Sequence, residues 1–175
     1  MKVLQIMSNW LDTLKESIPD YAKDIKLNLD SIIKQSTLDQ EQTKGCALAC
    51  VFATNNKNLV VIISNAMMDE TEKTAALTAA ALMAQNNTWY PYTEMVEGNL
   101  KGISPQLRMN AIATHGGTTK LKFESYSLAA SIIGKCEACV KSHFNTLKNE
   151  GYTTENLRDI GRIAATIAAV AKLLP

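Results

Sequence analysis

Apolar side chains recur along this chain at steps of three and four, the period of an α-helix whose one face is buried. Trp10, Leu11 and Leu14 share a face over Asn9 to Ser17, which stops before Pro19. Pro19-Asp20-Tyr21 reads as a helix start, followed by Ile25, Leu29, Ile32 and Ile33 at helical spacing. Ser36-Thr37-Leu38-Asp39-Gln40 carries hydroxyl, acidic and amide groups in a capping order, and the helix it opens bears Cys46, Ala49, Cys50 and Ala53. Asn55 to Asn58 breaks that helix.

Leu59-Val60-Val61-Ile62-Ile63 is β-branched and strand-like, but no second such run exists to pair with it, so it is expected to be a buried helix. Asp69 to Ala84 is rich in alanine, the best helix former. Trp89 to Val96 is expected as a further helix begun by Pro91, and Pro105 to Ala113 as another. Thr114 to Thr119 is the clearest loop, and Lys122–Ile133, Glu137–Lys148 and Thr154–Leu174 complete an all-α set. No linker divides the chain, so residues 1–175 are expected to form one helical domain.

A shift of 51 positions sets Leu77 on Leu128, Ala79 on Ala130, Leu82 on Ile133 and Ala113 on Ala164. Alanine-rich helices match one another easily, so duplication and chance both stay open. Under duplication, Gln85 and Thr88 stand where Cys136 and Cys139 stand, and the first half is scaffold.

Composition narrows the function classes. Hydrophobic residues make up 46% of the chain and charged residues 20%, an ordinary globular balance, and the net charge is +1. That charge, with no basic run, argues against a non-specific grip on nucleic acid or an anionic membrane. Trp10, Trp89, Tyr90 and Tyr92 lack the interleaved basic residues of a base-stacking surface. No apolar run reaches the roughly 20 residues that span a bilayer. Met1 to Met7 does not resemble a signal peptide, so a cytoplasmic location with reduced thiols is expected.

Four cysteines in a reducing compartment point to redox chemistry, metal or plain burial rather than to a disulfide framework. Cys46 and Cys50, among Ala47, Leu48, Ala49 and Val51, read as core. Met67, Met68 and Met83 read as core filler, and His115 as a loop residue.

The informative stretch is Gly134-Lys135-Cys136-Glu137-Ala138-Cys139-Val140-Lys141-Ser142-His143. Cysteines at i and i+3 lie on one helix face, where their sulfurs can bond. At a helix start they also sit among free N–H groups and the positive end of the dipole, which favour the reactive thiolate. His143 is one turn beyond Cys139 and can take a thiol proton directly or through water. Its orienting carboxylate would be Glu124, ten residues before Gly134 where His143 is nine after it. A chain reversal near Gly134 brings the two level, whereas one straight helix would hold them roughly 28 Å apart. Spacing alone leaves three readings open: a redox pair, two buried structural cysteines, or zinc with His143 and a carboxylate. The βαβ strands of a thioredoxin fold are missing.

The array Glu124-x11-Cys136-x2-Cys139-x3-His143 resembles the signature of the AhpD family of alkyl hydroperoxide reductases, in the carboxymuconolactone decarboxylase-like superfamily. Pro19 to Leu29, Leu38 to Gln42, Leu107-Arg108-Met109-Asn110 and Phe123-Glu124 resemble the family as well, so the likeness runs through nearly the whole chain after about Ser8. The resemblance implies an all-α fold from a duplicated helical unit, with the Cys-x-x-Cys at a helix N-terminus in the second half, and a homotrimer. It implies an antioxidant thiol–disulfide oxidoreductase with alkyl hydroperoxidase activity. Such a protein regenerates an AhpC-type peroxiredoxin through a transient interchain disulfide at Cys139. Its electrons come from dihydrolipoamide or lipoyl groups of a lipoylated acyltransferase, with no bound cofactor or metal.

Carried over, Cys139 is the nucleophile that forms a sulfenic acid, Cys136 the proton donor and resolving thiol, and His143 with Glu124 the relay. Familiar members carry a histidine just before the second cysteine, and here that position is Ala138. Glu137 adds a negative charge that would oppose thiolate formation if it pointed inward. The alternatives are a lactone-acid decarboxylase on the same scaffold and a zinc-stabilised interaction module.

Overall fold

The computed structural model describes residues 10–114 and 117–174, so the expectations at Met1 to Asn9 and at His115 lie outside the described residues. Every regular element among the described residues is helical. In chain order they are α1 (Trp10–Ser17), a 3₁₀ turn (Asp20–Ala22), α2 (Lys23–Lys34), α3 (Gln40–Ala53), α4 (Lys57–Ala66), α5 (Glu70–Met95), α6 (Ala111–Thr114), α7 (Lys120–Gly134), α8 (Glu137–Asn149) and α9 (Thr154–Leu173).

Side-chain caps explain most of the starts, because each supplies an acceptor to an N–H that has no partner within its helix. Asp39 caps α3 through Gln42 N–H at 2.8 Å, and Asn56 caps α4 through Leu59 N–H at 3.0 Å. Asp69 takes the N–H groups of Thr71 and Glu72 at the start of α5. Thr119 opens α7, and Thr153 forms a capping box with Asn156 at the start of α9. The β-branched run Leu59 to Ile63 lies inside α4, with Leu59 and Ile63 turned into the core.

The core centres on α3, whose residues from Gly45 to Val51 are buried without interruption. α5, α7 and α9 pack around it. A Cβ on Gly45 would stand 2.5 Å from the ring of Tyr126, so a glycine is what lets α3 approach α7. Tyr126 donates its hydroxyl to Glu72 of α5, which also accepts from Thr118 Oγ1 at 2.7 Å. Asp159 of α9 accepts from the backbone N–H (2.9 Å) and hydroxyl (3.0 Å) of Thr37, tying α9 to the chain leading into α3.

Two expected elements differ. Pro91 does not begin a new helix; it lies inside the unbroken α5. It falls in the last turns, where a missing N–H costs one ladder bond, and the buried face from Ala75 to Asn86 has already fixed the helix axis. Pro105 to Asn110 is not helical, and only Ala111–Thr114 is. Gln106 has a left-handed φ of 51°, Leu107 is exposed, and Met109 alone packs against the core, so the stretch has too little apolar surface to hold a helix in place. Met67 is buried as expected, but Met68 is 66% exposed. Under the 51-residue shift, Gln85 and Thr88 fall within continuous α5, where the second half breaks between α7 and α8. No helix among the described residues is long and apolar enough to cross a membrane.

Candidate active site

α7 ends at Gly134, and Lys135 turns the chain with a left-handed φ of 55°. A Cβ on Gly134 would stand 2.5 Å from Cγ and 2.8 Å from Cβ of Asn87, so the end of α7 rests directly on α5. Asn87 fixes the contact by donating Nδ2–H to Ala130 O at 3.2 Å.

Cys136 is then the N-cap of α8, and its sulfur accepts the backbone N–H of Cys139 at 3.2 Å. The two sulfurs lie at disulfide distance, with Cα atoms 5.3 Å apart. α7 and α8 thus form the hairpin that the spacing demanded, and Glu124 and His143 come level in it. Glu124 Oε2 stands 2.6 Å from His143 Nδ1, and both side chains are buried. A carboxylate accepts only, so Nδ1 is the protonated donor and the ring is held in one orientation.

The other ring nitrogen, Nε2, lies 3.2 Å from Sδ of Met83 on α5. Nothing in the local sequence marked this contact, because Met83 is 60 residues away on a helix that reads as core. Met83 also lines a cavity of about 270 Å³ with Asn86, Tyr90, Met109, Cys139 and His143. Ala138 and Ser142 complete its wall. Cys139 and His143 therefore share a solvent-sized space, while Cys136 is fully buried and outside that wall. Of the two sulfurs, Cys139 is the one an entering molecule meets.

Glu137 points away from the thiols. It is exposed and pairs with Lys141, whose hydrogen bond holds its carboxyl below the ordinary value. Cys46 and Cys50 are buried core, as expected. Burial pushes the Cys46 thiol up to about 12 and the Cys50 thiol well above its ordinary value, so neither forms a thiolate at neutral pH. Among the described residues, no three His, Cys, Asp or Glu side chains converge as a metal cradle. A second cavity, of about 210 Å³, lies between α1 and α4 against Trp10, Leu14 and Ile62. It carries no thiol, imidazole or carboxylate and offers no comparable chemistry.

Residues 105–174, which include Glu124, Cys136, Cys139 and His143, match the model of the carboxymuconolactone decarboxylase family. The chain is 40% identical over 167 residues to alkyl hydroperoxide reductase AhpD of Gluconacetobacter diazotrophicus, covering 94% of this chain and 92% of the relative. It is 38% identical over 170 residues to the AhpD of Coxiella burnetii, covering 93% and 96%. Against the AhpD of Mycobacterium tuberculosis the identity is 40% over 167 residues, covering 94% of each. The chain belongs to the AhpD family. In this AhpD-family member, Ala138 lines the cavity beside Cys139, and His143 is the one imidazole among the described residues.

Proposed function

We propose that this protein is a thiol–disulfide oxidoreductase that reduces alkyl hydroperoxides and regenerates an AhpC-type peroxiredoxin. The observation that carries the reading is the pairing of Cys139 with Cys136 at disulfide distance, beside a cavity that Cys139 shares with the Glu124-held imidazole of His143.

Glu124 fixes the His143 ring, and His143 takes the Cys139 proton through water in the shared cavity. The Cys139 thiolate attacks the terminal oxygen of the hydroperoxide. An S–O bond forms, the O–O bond breaks, and the alkoxide leaves as alcohol with the proton from His143. Cys136 then attacks the sulfenic sulfur, water leaves, and the Cys136–Cys139 disulfide closes. A dihydrolipoyl dithiol attacks Cys139, and Cys136 departs as a thiolate that the Cys139 N–H already caps. The same exchange, run against an AhpC disulfide, passes electrons on through a transient interchain bond at Cys139. No bound cofactor is needed for these steps. The protein works as a homotrimer in the cytoplasm, supplied by a lipoylated acyltransferase.

A decarboxylation leaves sulfur oxidation states unchanged and has no use for two bonded sulfurs, which favours the redox reading over a lactone-acid decarboxylase. The deciding experiment separates the cysteines. Cys139→Ser should abolish peroxide reduction and mixed-disulfide formation. Cys136→Ser should still react and then stall as a Cys139 sulfenic acid or trapped adduct. Mass spectrometry after one equivalent of hydroperoxide reads both, and a stable adduct on Cys136 with none on Cys139 would reverse the roles.

A further inference from the structure

Met83 belongs to the core and is 1% exposed, yet it lines the cavity and its sulfur stands 3.2 Å from Nε2 of His143. A thioether accepts hydrogen bonds and has no proton to give, so the 3.2 Å contact is favourable when Nε2 of His143 carries a hydrogen. With Nδ1 donating to Glu124, a hydrogen on Nε2 makes the ring an imidazolium paired with that carboxylate, the same state in which His143 gives its proton to the alkoxide during turnover.

We propose that the Met83 thioether, set between His143 and the Cys139 cavity, is a second site of hydroperoxide chemistry that is oxidised to the sulfoxide by alkyl hydroperoxides. The inference rests on the reading that hydroperoxides enter this cavity. Once Cys136 and Cys139 are joined, neither sulfur is a thiolate. A thioether needs no deprotonation and stays nucleophilic at every pH, so Met83 remains reactive beside the site.

The step balances without any further reagent. A sulfur lone pair attacks the terminal oxygen of ROOH; the S–O bond forms as the O–O bond breaks. Sulfur loses two electrons and the peroxide bond gains them. The leaving alkoxide takes the Nε2 proton of His143, and the nascent S–OH group returns its proton to Nε2. The products are the sulfoxide and ROH, with His143 unchanged.

General-acid help of this kind is worth about 10²–10⁴-fold, and the exposed Met68 and Met95 have only water to supply it. Oxidation should therefore run against the order of exposure, which normally governs methionine. The sulfoxide oxygen is a stronger acceptor than the thioether and occupies the Nε2 edge of His143 as its hydrogen-bond partner. His143 then no longer takes the Cys139 proton, and peroxide turnover falls until a thiol-dependent sulfoxide reductase restores the thioether.

The test treats the disulfide form of the full chain with cumene hydroperoxide and follows each methionine by peptide mass mapping. Met83 should gain oxygen at least about tenfold faster than Met68 and Met95, and His143→Phe should remove that lead while leaving the exposed pair unchanged. After re-reduction of the disulfide alone, pretreated wild type should show at least about tenfold lower turnover, whereas pretreated Met83→Leu should keep whatever activity it began with. Met83 lagging behind Met68 and Met95, or oxidised Met83 with undiminished turnover, overturns the proposal. Fresh dithiol protein that consumes no hydroperoxide would refute the proposed function instead, and the mass readout on Met83 needs no turnover to be read.

Discussion

Gly134→Ala tests how the site is held. Gly134 is the last residue of α7, so alanine suits its backbone, and by helix propensity alone the change should stabilise by about 0.5–1 kcal/mol. The space is what forbids it. The new Cβ would lie 2.5 Å from Cγ and 2.8 Å from Cβ of Asn87, where ordinary contact begins at 3.4 Å. Rotating the amide relieves the first overlap, of roughly 0.9 Å, but the second, of roughly 0.6 Å, involves an atom fixed to the α5 backbone. One helix must move, and the Asn87–Ala130 hydrogen bond is strained with it. Overpacking costs about 1–3 kcal/mol, and here the upper end, about 2–3, applies because an atom fixed to the α5 backbone must shift; after the propensity gain the net expectation is a loss of about 1–2 kcal/mol. At this chain length that lowers the melting temperature by about 2–8 °C. Because the displaced turn leads directly into Cys136, disulfide re-formation should slow as well. Urea denaturation of Gly134→Ala, Asn87→Ala and the double variant measures the effect. The double variant should be more stable than the sum of the singles by about 0.5–1.5 kcal/mol. A Gly134→Ala protein as stable as wild type, or a strictly additive cycle, would refute the reasoning.

Three further outcomes follow from other parts of the molecule. Burial raises the Asp159 carboxyl, but hydrogen bonds from Thr37, Arg162 and Arg158 outweigh it and hold the group at about 2 against an ordinary 3.8. With the side chain only 2% exposed, that shift is worth about 2 kcal/mol; it is fully present above pH 4 and lost as pH falls through 2. Asp159→Asn should therefore be less stable than wild type at pH 7 by about that amount, with the gap closing in denaturant titrations near pH 2. In reduced native protein at pH 8, Cys46 and Cys50 should stay silent to thiol reagents and react only on unfolding; prompt labelling of either would contradict their burial. Glu124→Gln keeps a hydrogen-bonding group beside His143 but removes the charge, and should slow peroxide-driven disulfide formation by about 10²-fold with the helical circular dichroism unchanged.

Most of the helices could be read from periodicity, and the start of α3 from the capping order of Ser36 to Gln40, because both are local; the caps at Asn56, Asp69 and Thr153 emerge from the structure. The β-branched run Leu59 to Ile63 was legible only through an argument about what it lacked, a partner strand. Pro91 and the stretch from Pro105 to Asn110 were misread in opposite directions. In the first, tertiary packing of α5 overrode a local breaker; in the second, a helical-looking run had only Met109 to bury. At the site, the pairing of Glu124 with His143 follows from counting residues on either side of one turn. Asn87, Met83 and Tyr90 lie on α5, distant in sequence, and no spacing rule connects them to Cys139. What the sequence left dark was the wall of the cavity, not the chemistry on the hairpin.

The Cys136 cap ties a covalent state to a backbone proton. The Cys139 amide donates to a sulfur rather than to a carbonyl oxygen, and that acceptor changes charge when the pair is reduced and changes bulk when it is alkylated. A thiolate cap should slow solvent exchange at this one amide, and an alkylated sulfur should free it and fray the first turn of α8. Hydrogen–deuterium exchange at a single peptide would thus report the redox state of the site while leaving both thiols untouched by reagent.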